Sequence, residues 1–493
     1  MVTKKLGGYE VVVDNVTAKI DISQTEREFV PTYKLIFPEI EQATMAVLDD
    51  IRERMITEME ILPLEILRPE EMEKIKTDFL KKSAVFIKDE LPHLSKENRE
   101  ILASILLHKS MGLGLIEILL QDANLEEIVI NGSKDVIWVY HRRFGWLKTN
   151  IYPDSEVDVY NYAAMIGRRV GTQITNLNPL MDAYLTSGDR ANATLFPISS
   201  SGNTLSIRKF ARKSWTITDF IENKTLSPEM AAFLWLAIQY ELNILITGGT
   251  ASGKTGLLNV LSCFIPPNHR IISIEDTREI QLPKFLHWVP LTTRPPNPEG
   301  KGEVTMLGLM INSLRMRPDR IIVGEIRRSR EAEVLFEAIH TGHSVYSTLH
   351  ANTDEETLRR LTNPPLNIPA SLLSSLQLVV VMHRDRRRRI RKVLSISELV
   401  GSGEKELKIG LNKLFDWMPS KDYFSKVGKS SKVLNDIKLF SGLSERDVEK
   451  DIAEKEAILK WMVKEGIRDI NKVGRIISEY YINPQKVLKQ VGL

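Results

Sequence analysis

The chain has 493 residues, with 67 Lys and Arg against 64 Asp and Glu, a formal net charge of +3, and 43% hydrophobic residues. That balance excludes global disorder, collagen-like or mucin-like sequence and an obligate nucleic-acid coat, and the length suits about three domains. The single cysteine, Cys263, excludes an intramolecular disulfide and a cysteine-based zinc site.

The opening MVTKKLGGYEVVVDN carries a basic pair without an apolar run of signal-peptide length, which predicts a cytoplasmic protein. Residues 1–35 alternate in short runs that suit one or two strands. A helix is predicted after Pro38-Glu39, with Leu48, Ile51 and Met55 on one face. A second starts at Pro69, and a third follows Ser95 as its cap. Residues 1–111 therefore read as a mainly helical N-terminal module. From 112 to 210 the pattern becomes a small α+β domain. Its strands are predicted at Glu127–Ile130, Val136–Tyr140 and Thr204–Ile207, and its helix at Tyr160–Arg169. Residues 211–226 read as a hinge linker.

From 227 to 400 buried strands alternate with helices. Strands are predicted at Asn243–Thr247, Arg270–Ile274, Arg320–Gly324, Ser344–Thr348 and Leu376–Met382. This is α/β patterning with a mostly parallel sheet. Met230 to Thr247 is the longest apolar stretch; Gln239, Glu241 and Asn243 interrupt it, so it reads as a buried helix and strand rather than a membrane span. The run from Pro295 to Gly302 reads as an exposed, mobile loop. Residues 401–493 read as a C-terminal helical tail, with Ser444 capping a helix that ends near Gly466.

Gly248-Gly249-Thr250-Ala251-Ser252-Gly253-Lys254-Thr255 fits G-x-x-x-x-G-K-[ST], with an apolar strand before it and an apolar helix after it. Glycines let successive N–H groups turn inward around phosphate oxygens, and the helix start adds its positive end. Lys254 is placed to meet the β- and γ-phosphates of ATP, and Thr255 to ligate Mg²⁺. Hydrolysis also needs a carboxylate beside the γ-phosphate. Glu325 follows Ile321-Ile322-Val323-Gly324 and is the candidate general base; Glu275 follows Ile271-Ile272-Ser273-Ile274 and is the candidate for Mg²⁺-water coordination. Either acid also suits a helix cap. His343 and His350 flank one strand, and on the residues alone a structural histidine is the plainer reading. Arg384 to Lys392 reads as a solvated hairpin turn or, alternatively, as a nucleic-acid contact.

GGTASGKT, IISIEDTREI, RMRPDRIIVGEIR and AIHTGHSVYSTLHAN together resemble the Walker A, Asp box, Walker B and His box of the type II/type IV secretion ATPases, in its archaeal branch. The resemblance covers about 112 to 400. It implies a RecA-like P-loop ATPase domain, a hexameric ring, and partnership with a membrane platform protein of a pilus, archaellum or secretion system. By motif, Glu325 becomes the catalytic glutamate, Glu275 an Asp-box residue, and His343 and His350 the His-box pair. Gly188-Asp189-Arg190 and Ser206-Ile207-Arg208 resemble the family's arginine segments, which makes Arg190 and Arg208 arginine-finger candidates, with Arg278 a weaker one. Gly256 departs from the family's frequent Thr, and one cysteine excludes the four-cysteine zinc module of the bacterial type II branch. A conjugation-type or nucleic-acid motor of the same superfamily is the alternative; direct nucleic-acid binding is not the expectation.

Overall fold

The computed structural model describes residues 3–14, 16–26, 28–36, 41–58, 69–185, 188–209, 214–296, 300–388, 390–402 and 408–493. The chain divides into two units, Met1–Lys213 and Ser214–Leu493.

In the first unit the order is β1 (Thr3–Val13), β2 (Val16–Thr25), β3 (Thr32–Ile36), α1 (Gln42–Glu58), α2 (Pro69–Glu90), α3 (Lys96–Met111) and α4 (Ile116–Gln121). It continues with β4 (Leu125–Asn131), β5 (Trp138–His141), β6 (Gly145–Thr149), α5 (Glu156–Arg169), β7 (Leu180–Tyr184), β8 (Arg190–Thr194) and β9 (Thr204–Arg208). The three helices form where the apolar spacing predicts. Leu48, Ile51 and Met55 are fully buried, and the Ser95 hydroxyl accepts the Asn98 N–H at 3.2 Å. The expected start of α1 at Pro38 lies outside the described residues.

The boundary at 111 moves. All nine strands form one sheet, ordered β1-β2-β3-β6-β5-β4-β9-β8-β7, because β3 pairs with β6 in parallel. The N-terminal strands therefore extend the sheet of the α+β domain instead of belonging to a separate helical module. Val11, Ala18, Ile20 and Tyr33 are buried in the same core as Ile128, Val139 and Leu205.

The second unit begins with α6 (Ile217–Glu222). Residues 211–213 of the expected hinge lie outside the described residues. From Thr216 onward the chain is already built into this unit: the Thr216 N–H donates to Asp219 Oδ2 at 2.9 Å in a capping box, and Ile217 is buried. The linker is thus narrower than 211–226. There follow α7 (Pro228–Gln239), β10 (Ile244–Gly248), α8 (Lys254–Ser262), β11 (Ile271–Glu275), β12 (Trp288–Thr292), α9 (Met306–Ser313), β13 (Arg320–Val323), α10 (Ser329–His340), β14 (Ser344–Leu349), α11 (Asp354–Thr362) and α12 (Ala370–Leu373). Four strands, β15 (Leu378–Asp385), β16 (Ile390–Ser402), β17 (Lys408–Met418) and β18 (Tyr423–Lys426), precede four helices, α13 (Lys432–Ser441), α14 (Glu445–Lys464), α15 (Ile470–Ile482) and α16 (Pro484–Val491).

Its sheet runs β12-β11-β13-β14-β10-β15-β16-β17-β18. The first six strands are mutually parallel and the rest antiparallel. This is the α/β layout with a mostly parallel sheet that the alternating pattern predicts, and it agrees with the RecA-like domain that the resemblance implies. Every residue of β10, β11, β13 and β14 is buried, as in a sheet covered on both faces, which is why their sequences show no alternation of apolar and exposed polar residues. Three of the strands were not predicted: β12, β17 and β18.

The tail is not separate. β17 and β18 continue the sheet, and the helices after them close its core. Helix α7 has nine consecutive buried residues, Met230 to Ile238, so it must be covered on all sides. Trp235 is fully buried, stacks on Phe264 with ring centroids 5.1 Å apart, and donates its Nε1–H to the Tyr481 hydroxyl at 2.8 Å. Glu398 of β16, also fully buried, caps the start of α13: its carboxylate accepts the N–H groups of Ser431 at 2.6 Å and Val433 at 3.1 Å and the Ser430 hydroxyl at 2.8 Å. Among the described residues no helix is long and apolar enough to cross a membrane.

Candidate active site

Parallel strands bring their carboxyl ends to one edge, where ligands of open α/β sheets bind. The loop after β10 shows why its sequence is glycine-rich. Gly248 has φ +152°, and a Cβ there would meet the Met382 carbonyl oxygen at 2.4 Å. Gly253 has φ +97° and forms the N-cap of α8. Lys254 turns back into its own loop and donates to the carbonyls of Gly248 at 3.0 Å and Gly249 at 3.1 Å. Burial lowers its pKa below the usual lysine value, and the nearby Glu325 carboxylate opposes that shift. Thr255 follows in the first turn of α8. The Ser252 hydroxyl is buried with no hydrogen-bond partner among the described residues.

Glu275 ends β11 and is 2% exposed. Its Oε1 accepts the N–H groups of Glu279 and Ile280 at 2.9 and 3.0 Å, while Oε2 is buried and unpartnered among the described residues. Burial pushes its carboxyl up to about 7, against the pull of those two N–H groups. Gly324, between β13 and Glu325, faces it closely: a Cβ there would meet Glu275 Cγ at 3.4 Å.

Glu325 follows β13, two strands from the phosphate loop, a separation of roughly 10 Å at ordinary strand spacing. Its Oε2 accepts Nε–H and Nη2–H of Arg327 at 3.0 and 2.8 Å, and Arg327 Nη1 donates to Asp276 at 2.7 Å. Sequence reasoning assigned no role to Arg327 or Asp276. The available signal was a carboxylate and a guanidinium two residues apart, just past a buried strand.

The two histidines separate. β14 lies beside β10 in parallel, so His350 emerges at the phosphate-loop edge and His343 at the opposite one. His350 Nε2 lies 3.1 Å from the Thr250 hydroxyl. His343 instead sits 3.3 Å from the Ala338 carbonyl and the Thr341 hydroxyl. Within one chain, grouping His343 with the catalytic residues is corrected by strand polarity: a six-residue strand puts its flanks about 20 Å apart.

The arginine run is only partly a solvated turn. β15 and β16 do form a hairpin, and Asp385 accepts the N–H groups of Arg387 and Arg388 at 2.8 and 3.0 Å. Arg391 donates to the Ala251 carbonyl of the phosphate loop at 3.2 Å, and Lys392 is buried against Asp422 at 2.8 Å. In the first unit, Arg190 and Arg208 stand directly opposite each other on β8 and β9. Arg190 forms a two-pronged pair with Asp182 at 2.9 and 2.6 Å, and Glu127 is the residue opposite Arg208 on the other side. Arg278 lies over the Trp288 ring at 4.9 Å.

Residues 189–393 match the family model described as "Type II/IV secretion system protein". Protein MJ0900 of Methanocaldococcus jannaschii, itself uncharacterized, is 35% identical over 394 residues, covering 79% of this chain and 71% of that protein. The chain belongs to the type II/IV secretion system protein family. Within that secretion family, the type IV secretion system protein PtlH of Bordetella pertussis is 31% identical over 261 residues, covering 48% of this chain and 76% of PtlH. Among solved structures, the Legionella pneumophila ATPase DotB aligns over 74% of this chain and 94% of its own at 18% identity, with a TM-score of 0.42.

Proposed function

We propose that this secretion-family chain is an ATPase that works as a hexameric ring. It would stand at the cytoplasmic face of the cell membrane and drive assembly of a pilus-like filament, an archaellum or a secretion machine through a membrane platform protein. The observation that carries this reading is the single sheet edge that gathers the Gly248–Thr255 loop, Glu275, Glu325 and His350. In it, Lys254 leaves its loop carbonyls for the β- and γ-phosphates, as a lysine freed of two hydrogen bonds can. Glu325 orients or deprotonates the attacking water.

The donor set suits Mg²⁺. Thr255 offers a hydroxyl, and Glu275 keeps a buried oxygen, unpartnered among the described residues, close to the same edge, the oxygen chemistry that ion prefers while it retains several waters. When bound, Mg²⁺ would offset charge on the phosphates. Arg190 and Arg208, cross-strand neighbours of like charge, are the arginines we assign to the transition-state phosphoryl group. Domain closure around the nucleotide and reopening after hydrolysis would convert the chemistry into movement. A nucleic-acid motor is the weaker reading, since Arg391 and Lys392 of the basic run are spent within the fold.

The test is steady-state phosphate release by the full chain with Mg²⁺ and ATP, alongside mass measurement with and without nucleotide. Turnover together with a six-fold species is expected. A strict monomer under both conditions, or turnover that appears only with DNA and is lost in salt, would overturn the motor assignment.

A further inference from the structure

We propose that Arg327 is a γ-phosphate-binding residue, held in reserve on Glu325 and Asp276 until a nucleoside triphosphate draws it away and so frees the Glu325 carboxylate. This rests on the nucleotide reading above and deepens it.

Three of the five N–H groups of the guanidinium are spent on two carboxylates, both Nε–H and Nη2–H on the same oxygen of Glu325 and Nη1 on Asp276. In this arrangement the oxygen that would hold the attacking water already has two donors on it. The pairing therefore keeps Glu325 out of service. Glu325 and Asp276 lie on separate loops, after β13 and β11, so the arginine also ties the two loops together.

The backbone around Arg327 is fixed independently. The N–H groups of Arg327 and Arg328 both donate to Glu331 at 3.0 Å, at the start of α10. Only the side chain needs to move, and it is 61% exposed, so little packing opposes it. An exposed pair of this kind is weakly held in water. A terminal phosphate with two negative charges competes well for a guanidinium, because the planar fork matches phosphate oxygens.

The position is also right. Arg327 and Glu325 both lie near enough to Lys254 to act on its charge, with opposite signs. A cleft beside them is lined by Glu325, Arg327, His350 and Arg360, and His350 touches Thr250 of the phosphate loop. A diphosphate has no terminal group to reach this corner. The arrangement therefore distinguishes ATP from ADP before any chemistry occurs.

Equilibrium binding of ADP and of the non-hydrolysable analogue AMP-PNP to the full chain with Mg²⁺ tests this. Arg327→Gln is expected to weaken AMP-PNP binding by about tenfold or more, the scale of one charge-assisted contact, while ADP binding stays within about twofold. Retained ADP binding also shows that the variant is folded. Arg327→Lys is expected to recover part of the loss. Asp276→Asn, which releases one arm of the guanidinium, is expected to bind AMP-PNP at least as well as the unaltered chain. An equal loss for both nucleotides, or no loss for either, would overturn the proposal. If the unaltered chain bound neither nucleotide, the nucleotide reading itself would fall, and this inference with it.

Discussion

Glu325→Gln is expected to cut steady-state ATP hydrolysis by roughly 10²- to 10⁴-fold, the range supplied by a positioned acid–base group, while leaving ATP bound. The carboxylate sits two strands away from the loop that grips the phosphates, so its loss removes an interaction with water and not one with the nucleotide. Glutamine keeps the shape and one acceptor oxygen. Lys254→Ala is the instructive contrast. That lysine has no second role in the fold beyond its two loop carbonyls among the hydrogen bonds described, so its removal should weaken binding as well as turnover. Phosphate release measured beside equilibrium binding of ATP separates the two variants. Undiminished turnover in Glu325→Gln would remove that residue from the mechanism.

The second large effect concerns stability. Glu275 has its carboxyl pushed up to about 7 by burial, above the ordinary value of 4.5. Between those two values the folded chain holds a proton that the unfolded chain releases. Stability contributed by the neutral acid is therefore present at low pH, declines as pH rises through this window, and is fully lost above about 7. The shift corresponds to roughly 3 kcal/mol. Glu275→Gln cannot ionise and should not show this decline. Its unfolding temperature relative to the unaltered chain is expected to rise by on the order of 5–10 °C between pH 5 and pH 8, measured without nucleotide or Mg²⁺. Parallel melting curves across that range would mean that the carboxyl is not charged at cost in the fold. The charge tolerated at this position is the one a cation would use, so added Mg²⁺ and nucleotide should narrow the difference between the two proteins.

The phosphate loop and its strand were legible because two independent signals coincide there: glycines at fixed spacing, and a fully apolar strand in front of them. The carboxylates at the ends of β11 and β13 were legible for the same reason. What escaped had weak patterning. β7 and β8, LMDAY and RANAT, bury Met181, Ala183, Ala191 and Ala193, mostly side chains too small to stand out as an apolar alternation. One or two strands are expected within residues 1–35, but β1 runs further back through a Gly-Gly pair that argues locally against a strand and is held there by pairing with β2. β17 lies close to a Gly- and Lys-rich stretch and reads as part of the helical tail; its strand character rests on pairing with β16. Arg327 escaped differently: its residues were in plain view, but a guanidinium bridging two strand ends is a relation between loops remote in sequence. The displacement of His343 from the site needed only strand direction, which the motif comparison does not carry.

One strand links the nucleotide site to the far end of the chain. β16 begins at the phosphate loop, where Arg391 holds the Ala251 carbonyl, and seven residues later its Glu398 anchors the start of α13. The C-terminal helices are thereby fastened to the same rod that steadies the loop, and they also cover Trp235. A shortened chain ending after β16 would not be a self-sufficient unit. It would leave a buried carboxylate without its donors and a bare tryptophan, and the damage would travel along β16 to the place where the nucleotide is held.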